Sequence, residues 1–332
     1  MKKTFLSLLL LAVAAMISAQ GINFVEPPVG TQISENGILY KVTSLSPRTV
    51  EVAQSSYSGD IVIPSTMTWN SGSTLRYTVT GIGASAFSGC TSLTSVSIPS
   101  SVTTIGSSAF VGCTSLESVT GMAAVETIGT SAFRGCTALQ TVTIPSSVQE
   151  IGNLAFWGTG LKELTIAESS IPLSLSHYYV SNSYNGSPFY TCPIETLYLG
   201  REINHYNFSP DPYHPPFSTS LKKVVIGDHV TSIIRYSFSY CKSLASVTFG
   251  KNIEEIGEYA FYLCEALQSA NLGENVSSIG ICAFYGCSAM QLVNIPESVK
   301  TIQSEVFYNC ESLQSVTIPS SVQEIGNLAF WG

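Results

Sequence analysis

Charge is scarce in this 332-residue chain. Asp, Glu, Lys and Arg make up 11% of it, against roughly a quarter in an ordinary globular protein. The polar exterior must therefore come from Ser, Thr, Asn and Gly. Basic residues are fewer still, 14 against 22 acidic ones for a net charge of −8, and they form no cluster beyond the first three positions. That excludes a nucleic-acid binder, which needs cations to neutralise phosphates. Low charge does not imply disorder here, because 45% of the residues are hydrophobic and a disordered chain pairs high charge with little apolar material. Catalytic signatures are missing as well: there is no G-x-S-x-G, H-E-x-x-H, Walker loop or G-x-G-x-x-G. The acidic group Glu254, Glu255 and Glu258 lies in one short stretch facing solvent, whereas glycoside hydrolysis needs two carboxyls across one substrate. No C-x-x-C pair occurs, and the spacing of His205, Asp211 and His214 matches no established zinc pattern. The expectation is a protein that is not an enzyme, with no catalytic, cofactor or metal site.

Long apolar runs are absent with one exception, at the start. Met1–Ala19 reads MKKTFLSLLLLAVAAMISA: two lysines, an apolar run from Phe5 to Ile17, then small residues before Gln20. This layout predicts a secretory signal peptide cleaved near Ala19. The run falls short of the roughly 20 residues a membrane-spanning helix needs, so no spanning segment is expected in the mature chain. The first cysteine is Cys90, too far downstream for a lipid anchor at the cleavage site.

What is present is a period. Phe87, Phe110, Phe133 and Phe156 are 23 residues apart, and so are Phe238, Phe261, Phe284, Phe307 and Phe330. Around each the chain reads approximately L-x-x-V-x-I-P-x-x-V-x-x-I-G-x-x-A-F-x-x-C, as in Leu93, Val96, Ile98, Pro99, Val102, Ile105, Gly106, Ala109, Phe110 and Cys113. That length and strand pattern fit one coil of a leucine-rich repeat solenoid. In L-x-x-V-x-I the apolar residues alternate with Ser, Thr or Asn, which sends Val and Ile inward and the residue between them onto an open sheet face. Pro ends the strand. In V-x-x-I-G-x-x-A-F the apolar steps of three and four predict turns or a short 3₁₀ segment on the opposite wall, with Gly there for unusual dihedrals. One such coil buries too little to stand alone, so stability must come from stacking on its neighbours.

The middle departs from the period. Phe156 to Phe189 is 33 residues and Phe189 to Phe217 is 28, which places insertions in coils spanning about 157–237. They carry His177, Tyr178, Tyr179, Tyr184, His205, Tyr206, Asp211, Tyr213 and His214. Before the regular array, residues 20–58 hold strand-like segments at Ile38–Val42 and Thr49–Val52 and read as an N-terminal β cap; residues 59–332 form the array. At the far end, Val316–Gly332 repeats Val142–Gly158 residue for residue with no polar cap behind it, which leads to the expectation of a truncated array.

The unit LTSVSIPSSVTTIGSSAFVGC at Leu93–Cys113, recurring about eleven times between Gly59 and Gly332, resembles the BspA-like leucine-rich repeats of bacterial surface proteins. The resemblance implies a curved solenoid, secreted or held on the outer surface of a bacterium, serving adhesion or other surface recognition; some relatives bind host matrix proteins. It transfers no catalytic motif and no binding residue.

Cys90, Cys113, Cys136, Cys192, Cys241, Cys264, Cys287 and Cys310 each lie three residues after a repeat Phe. Stacked coils hold equivalent side chains about 4.8 Å apart, beyond the usual Cβ separation of a disulfide, so these are expected as buried thiols acting as small hydrophobes. Cys282 is off this column and its redox state is open. Candidate ligand-binding residues are of two kinds. The inserted tyrosines Tyr178, Tyr179, Tyr184, Tyr206 and Tyr213 offer aromatic area with polar tips. Thr143, Thr165 and Tyr198 lie on the outward row of the sheet, which runs Ser97, Thr120, Thr143, Thr165, Tyr198, Val225, Thr248, Asn271, Asn294, Thr317. Tyrosines also pack inserted loops onto a scaffold, and Thr suits any solvated strand, so the sequence leaves both readings open. The partner expected is an extracellular protein of a host matrix or neighbouring cell. The alternatives are a glycan stacked on Tyr178, Tyr179, Tyr206 and Tyr213, and a passive spacer.

Overall fold

A computed structural model describes residues 26–70, 74–176, 178–180, 183–185, 187–189, 191–204, 216–217 and 219–332. The leader, His177, His205, Tyr206, Asp211, Tyr213 and His214 lie outside the described residues. The rest is a solenoid of stacked coils with one continuous core.

Each coil contributes a front strand from its L-x-x-V-x-I segment. The alternation works as expected: Val96, Ile98, Leu164, Ile166, Leu197, Leu199, Val224 and Ile226 are buried. Front strands pair in parallel, coil to coil, in three stretches. The first joins Gly59–Val62, Leu93–Ser97 and Ser118–Thr120. The second joins Thr141–Ile144, Glu163–Ile166, Thr196–Leu199, Lys223–Ile226 and Ser246–Thr248. The third joins Ser269–Asn271 and Leu292–Asn294.

The leucine-rich repeat fold expected from the sequence is the one observed, but the back wall differs in detail. It is not turns alone. A second parallel ladder of mostly two-residue strands runs there, through Thr104–Ile105, Thr127–Ile128, Glu150–Ile151, Leu173–Leu175 and Ile203–Asn204. It resumes at Ser232–Ile233, Glu255–Ile256 and Ser278–Ile279, and again at Thr301–Ile302 and Glu324–Ile325. Two residues are too few to show a period of 2, which is why the sequence hid them. Among the described residues the one 3₁₀ segment is Met122–Ala124, on the front side. At the N-terminus Gln32–Glu35, Ile38–Leu45 and Arg48–Val52 form an antiparallel meander, and the third strand joins the back ladder through Thr74–Ile82. Tyr40, Val42, Val50 and Val52 are buried against the first coil.

Between the walls the repeat phenylalanines stack ring on ring. Centroid separations run 4.9 Å for Phe87–Phe110, 5.0 Å for Phe110–Phe133 and 5.1 Å for Phe133–Phe156. Phe189 and Phe217 keep their places despite the insertions, at 5.1 Å to Phe156, 6.2 Å to each other and 6.0 Å to Phe238. Offset parallel rings at this spacing add to the burial energy of each coil.

The repeat glycine has a different cause from the one expected. Gly106, Gly129 and Gly152 do not have positive φ; a Cβ at Gly129 would lie 2.6 Å from Ser107 N and 2.8 Å from Gly106 C. The residue type is set by the close approach of consecutive coils. One left-handed position lies two residues later and is not a glycine: Ser85, Ser108, Ser131, Leu154, Tyr236, Tyr259, Cys282, Glu305 and Leu328 have φ of 54–59°; a second, further along the coil, is glycine at Gly89, Gly112, Gly135 and Gly158, with φ of 69–76°.

All nine cysteines are free and buried, Cys282 included. The column makes specific bonds: the thiols of Cys113, Cys136 and Cys192 donate to the carbonyl oxygens of Phe87, Phe110 and Phe156 one coil back, at 3.0, 3.1 and 3.0 Å. Burial pushes the Cys192 and Cys310 thiols up to about 12 and the Cys282 thiol to about 11. All nine thiols are enclosed by packed side chains, so native protein at pH 8 should show no fast-reacting thiol towards a bulky chromogenic disulfide reagent and nine after unfolding. One thiol reacting before unfolding would contradict this burial.

Candidate functional site

The register of the five-stranded front stretch places Thr143, Thr165, Tyr198, Val225 and Thr248 side by side on the outward face. Three of the residues singled out from sequence, Thr143, Thr165 and Tyr198, are thus direct neighbours on consecutive strands. Of the inserted tyrosines, Tyr178 and Tyr179 lie on a strand, Tyr178–Val180, that pairs antiparallel with Ser183–Asn185; Tyr179 stands opposite Tyr184. Tyr206 and Tyr213 lie outside the described residues.

The face also holds a cluster that sequence reasoning missed. Tyr198 is half-buried, and its hydroxyl donates to Glu168 Oε1. His229 Nδ1 lies 2.5 Å from Glu168 Oε2. Burial opposes ionisation of Glu168, but Tyr198 and His229 outweigh it and hold the carboxyl below its ordinary value. The reciprocal effect appears on Tyr198, whose phenol is pushed up to about 12 by that hydrogen bond, with burial adding to it. Beside them Lys251 Nζ sits 2.6 Å from Asp228 Oδ2, and the Lys251 backbone N–H donates to Asp228 Oδ1 at 3.0 Å. Gly227 makes room for this arrangement: a Cβ there would lie 2.2 Å from Glu168 Oε1.

These residues share one position in the repeat. Glu168, Arg201, Asp228, Lys251 and Glu274 each stand two residues after the last inward residue of a front strand, at Ile166, Leu199, Ile226, Phe249 and Leu272. From Glu168 to Glu274 the signs alternate down the stack, and the next coil, with Glu297 at this position, ends the alternation. The regular coils carry Ser100 and Ser146 at this position. Aligning the coils on that column, rather than on the apolar residues, would have exposed the signal. Arg201 is the buried member. Its Nη1 and Nη2 donate to the carbonyls of Ser146 and Pro145 at 3.1 and 2.9 Å, and Nε finds no acceptor. Arg201 therefore ties its coil to the turn two coils earlier.

A second aromatic column also went unread. Tyr240, Tyr262, Tyr285, Tyr308 and Trp331 follow the core phenylalanines on the outside, at centroid separations of 5.6, 4.9, 4.6 and 4.9 Å. From Tyr285 to Trp331 the rings stack face to face, so their faces are taken up by one another and they offer mainly edges to a ligand.

Chemically, the front face is a hydrogen-bonding surface with both oxygens of its central carboxylate engaged. The coil sequence, the parallel ladders and this open face together define a leucine-rich repeat scaffold. The family model described as the BspA type leucine rich repeat region matches residues 70–185 and 217–332 in six copies, and the chain belongs to that family. Among solved structures it is similar to a leucine-rich repeat protein from Bacteroides ovatus, at 24% identity over 89% of this chain and 90% of that one with a TM-score of 0.41. It is similar to the pneumococcal vaccine antigen PcpA, at 23% identity over 90% and 78% with a TM-score of 0.49. It is also similar to a leucine rich cell surface protein from Faecalibacterium prausnitzii, at 24% identity over 91% and 95% with a TM-score of 0.33. None of the curated proteins matches.

Proposed function

We propose that the chain is an exported, non-enzymatic recognition scaffold that binds an extracellular protein of a host matrix or neighbouring cell through its front face. The observation that carries this reading is the five-strand register that sets Thr143, Thr165, Tyr198, Val225 and Thr248 in one outward row beside an alternating charge column. A row of hydroxyls and one tyrosine, rimmed by charges, suits many modest contacts along an extended partner, with the tyrosine as its anchor. The same reading assigns residues 1–19 as a cleaved leader, 20–58 as a cap and 59–332 as the repeat array; among the described residues no helix is long and apolar enough to cross a membrane. The inserted tyrosines Tyr178, Tyr179, Tyr184, Tyr206 and Tyr213 extend the binding surface.

The test is binding of the full chain to immobilised matrix glycoproteins, with Thr165→Arg and deletion of residues 177–186 or 205–215 as variants. Each is expected to weaken binding about tenfold, the equivalent of about 1.4 kcal/mol. Undiminished binding in all three variants would place the site elsewhere. A positive glycan array with no protein ligand would replace this reading with a sugar-binding module.

A further inference from the structure

The front ladder breaks between Ser118–Thr120 and Thr141–Ile144, and the sequence shows why. Where the neighbouring coils read Val96-Ser97-Ile98-Pro99 and Val142-Thr143-Ile144-Pro145, this coil reads Val119-Thr120-Gly121-Met122. The inward Ile and the strand-ending Pro are both gone. Gly121 takes φ 81°, a left-handed conformation, and a Cβ there would lie 1.9 Å from Ile98 O. Only glycine fits, and it folds the chain towards the preceding coil, with Thr120 O still accepting from Ile98 N at 2.9 Å. Met122 turns into the core in place of the missing Ile and is 8% exposed. The strand Ser118–Thr120 does not pair with Thr141–Ile144.

The result is a groove of about 420 Å³ in the front face. Its floor is apolar, from Val119, Met122, Val142 and Pro145; its rim carries hydroxyls, among them Thr120 and Thr143. No charged and no aromatic residue lines it, whereas the coils beyond it carry the charge column from Glu168 onwards. A regular Ile-Pro coil would have closed this space, so the departure from the repeat is what creates it.

We propose that this groove takes one uncharged apolar side chain, aliphatic or aromatic, projecting from a protein ligand. The inference rests on the front face being a recognition surface and names what its N-terminal half recognises. The volume falls in the range of small-molecule pockets, enough for one large side chain and part of its backbone. A charged group placed there would lose hydration against a lining that itself carries no charge. A sugar would find neither an aromatic plate nor a carboxylate. An apolar anchor would rest on Val119, Val142 and the adaptable Met122 thioether, while the rim hydroxyls of Thr120 and Thr143 meet the peptide groups on either side of it.

The test uses small probes on the full chain, read by saturation-transfer NMR: N-acetyl-L-phenylalaninamide and N-acetyl-L-leucinamide, an aspartate analogue of the same form, and cellobiose. The expected result is millimolar binding of the two apolar probes only, weakened about tenfold by Thr143→Trp and by Ala123→Trp, either of which fills the groove, and unchanged by Ser278→Trp on the exposed side of the back wall. No binding of the apolar probes, preference for cellobiose or the acidic probe, or full binding in both filled variants would overturn the proposal. Loss of matrix-protein binding with probe binding intact would refute the proposed function without touching the groove.

Discussion

In a polypeptide of these 332 residues, backbone amides of residues 317–332 are expected to exchange with deuterium at least about a hundredfold faster than their counterparts in residues 143–158. The two segments belong to one 17-residue sequence present twice, so their intrinsic exchange rates match and the molecule supplies its own control. Their surroundings differ. In the inner copy Ile144, Ile151 and Phe156 are fully buried, and in the outer copy Ile318, Ile325 and Phe330 are 39%, 51% and 37% exposed. The inner copy is covered by the next coil: Ala167 N donates to Ile144 O and Ser176 N to Ile151 O, both at 2.9 Å, and the Phe189 ring lies 5.1 Å from Phe156. Local opening free energies range from near zero at fraying ends to the global value in a core, and a hundredfold is a difference of about 2.7 kcal/mol. Equal protection of the two copies in hydrogen-exchange mass spectrometry would show that the coil is stable by its own sequence and that stacking contributes little.

Removing one ring from the middle of the stack should cost more than any surface change. Phe133→Ala deletes a fully stacked ring with neighbours at 5.0 and 5.1 Å, and a loss of about 3–5 kcal/mol is expected. The glycine column gives a sharper comparison. Gly129→Ala adds one methyl group, yet drives it to 2.6 Å from Ser107 N and 2.8 Å from Gly106 C, backbone atoms that move only if the coils part. Gly112→Ala, at φ 71° with nothing within 4 Å, meets no steric contact and bears only the left-handed backbone penalty of about 1–2 kcal/mol. Urea midpoints should therefore fall further for Gly129→Ala than for Gly112→Ala. The reverse order would mean that the repeat glycine is selected for its dihedral angle after all.

The parts of this fold that were legible in the sequence are those where a residue's type reports its own environment. Phe110 and Cys113 recur in register because every coil offers them the same buried slot, and Ser97, Thr120 and Thr143 recur because each strand presents one residue to water. The front row followed directly, including the adjacency of Thr143, Thr165 and Tyr198. Environment-dependent choices were not legible. Gly129 carries no mark distinguishing close approach from left-handed freedom, and a dipeptide such as Glu150–Ile151 carries no periodicity. Glu168 and His229 are 61 residues apart and meet only because the stack brings their coils together. The groove beside Met122 is visible in sequence as a broken repeat, but whether a missing Ile leaves a hole or a repacked core depends on where the chain goes next.

By itself, then, the sequence determined that this chain is a stack of like coils and which side chains line its core, because burial of an apolar residue every few positions is a local rule applied many times over. The tertiary structure decided which copies of a segment pair as strands. Val142-Thr143-Ile144 is a strand with a partner beside it, and Val316-Thr317-Ile318, the same residues, carries no strand. The physical reason is that a front strand bonds only to the coils beside it and not within itself, so its hydrogen bonds and much of its burial come from neighbours that its own residues cannot specify.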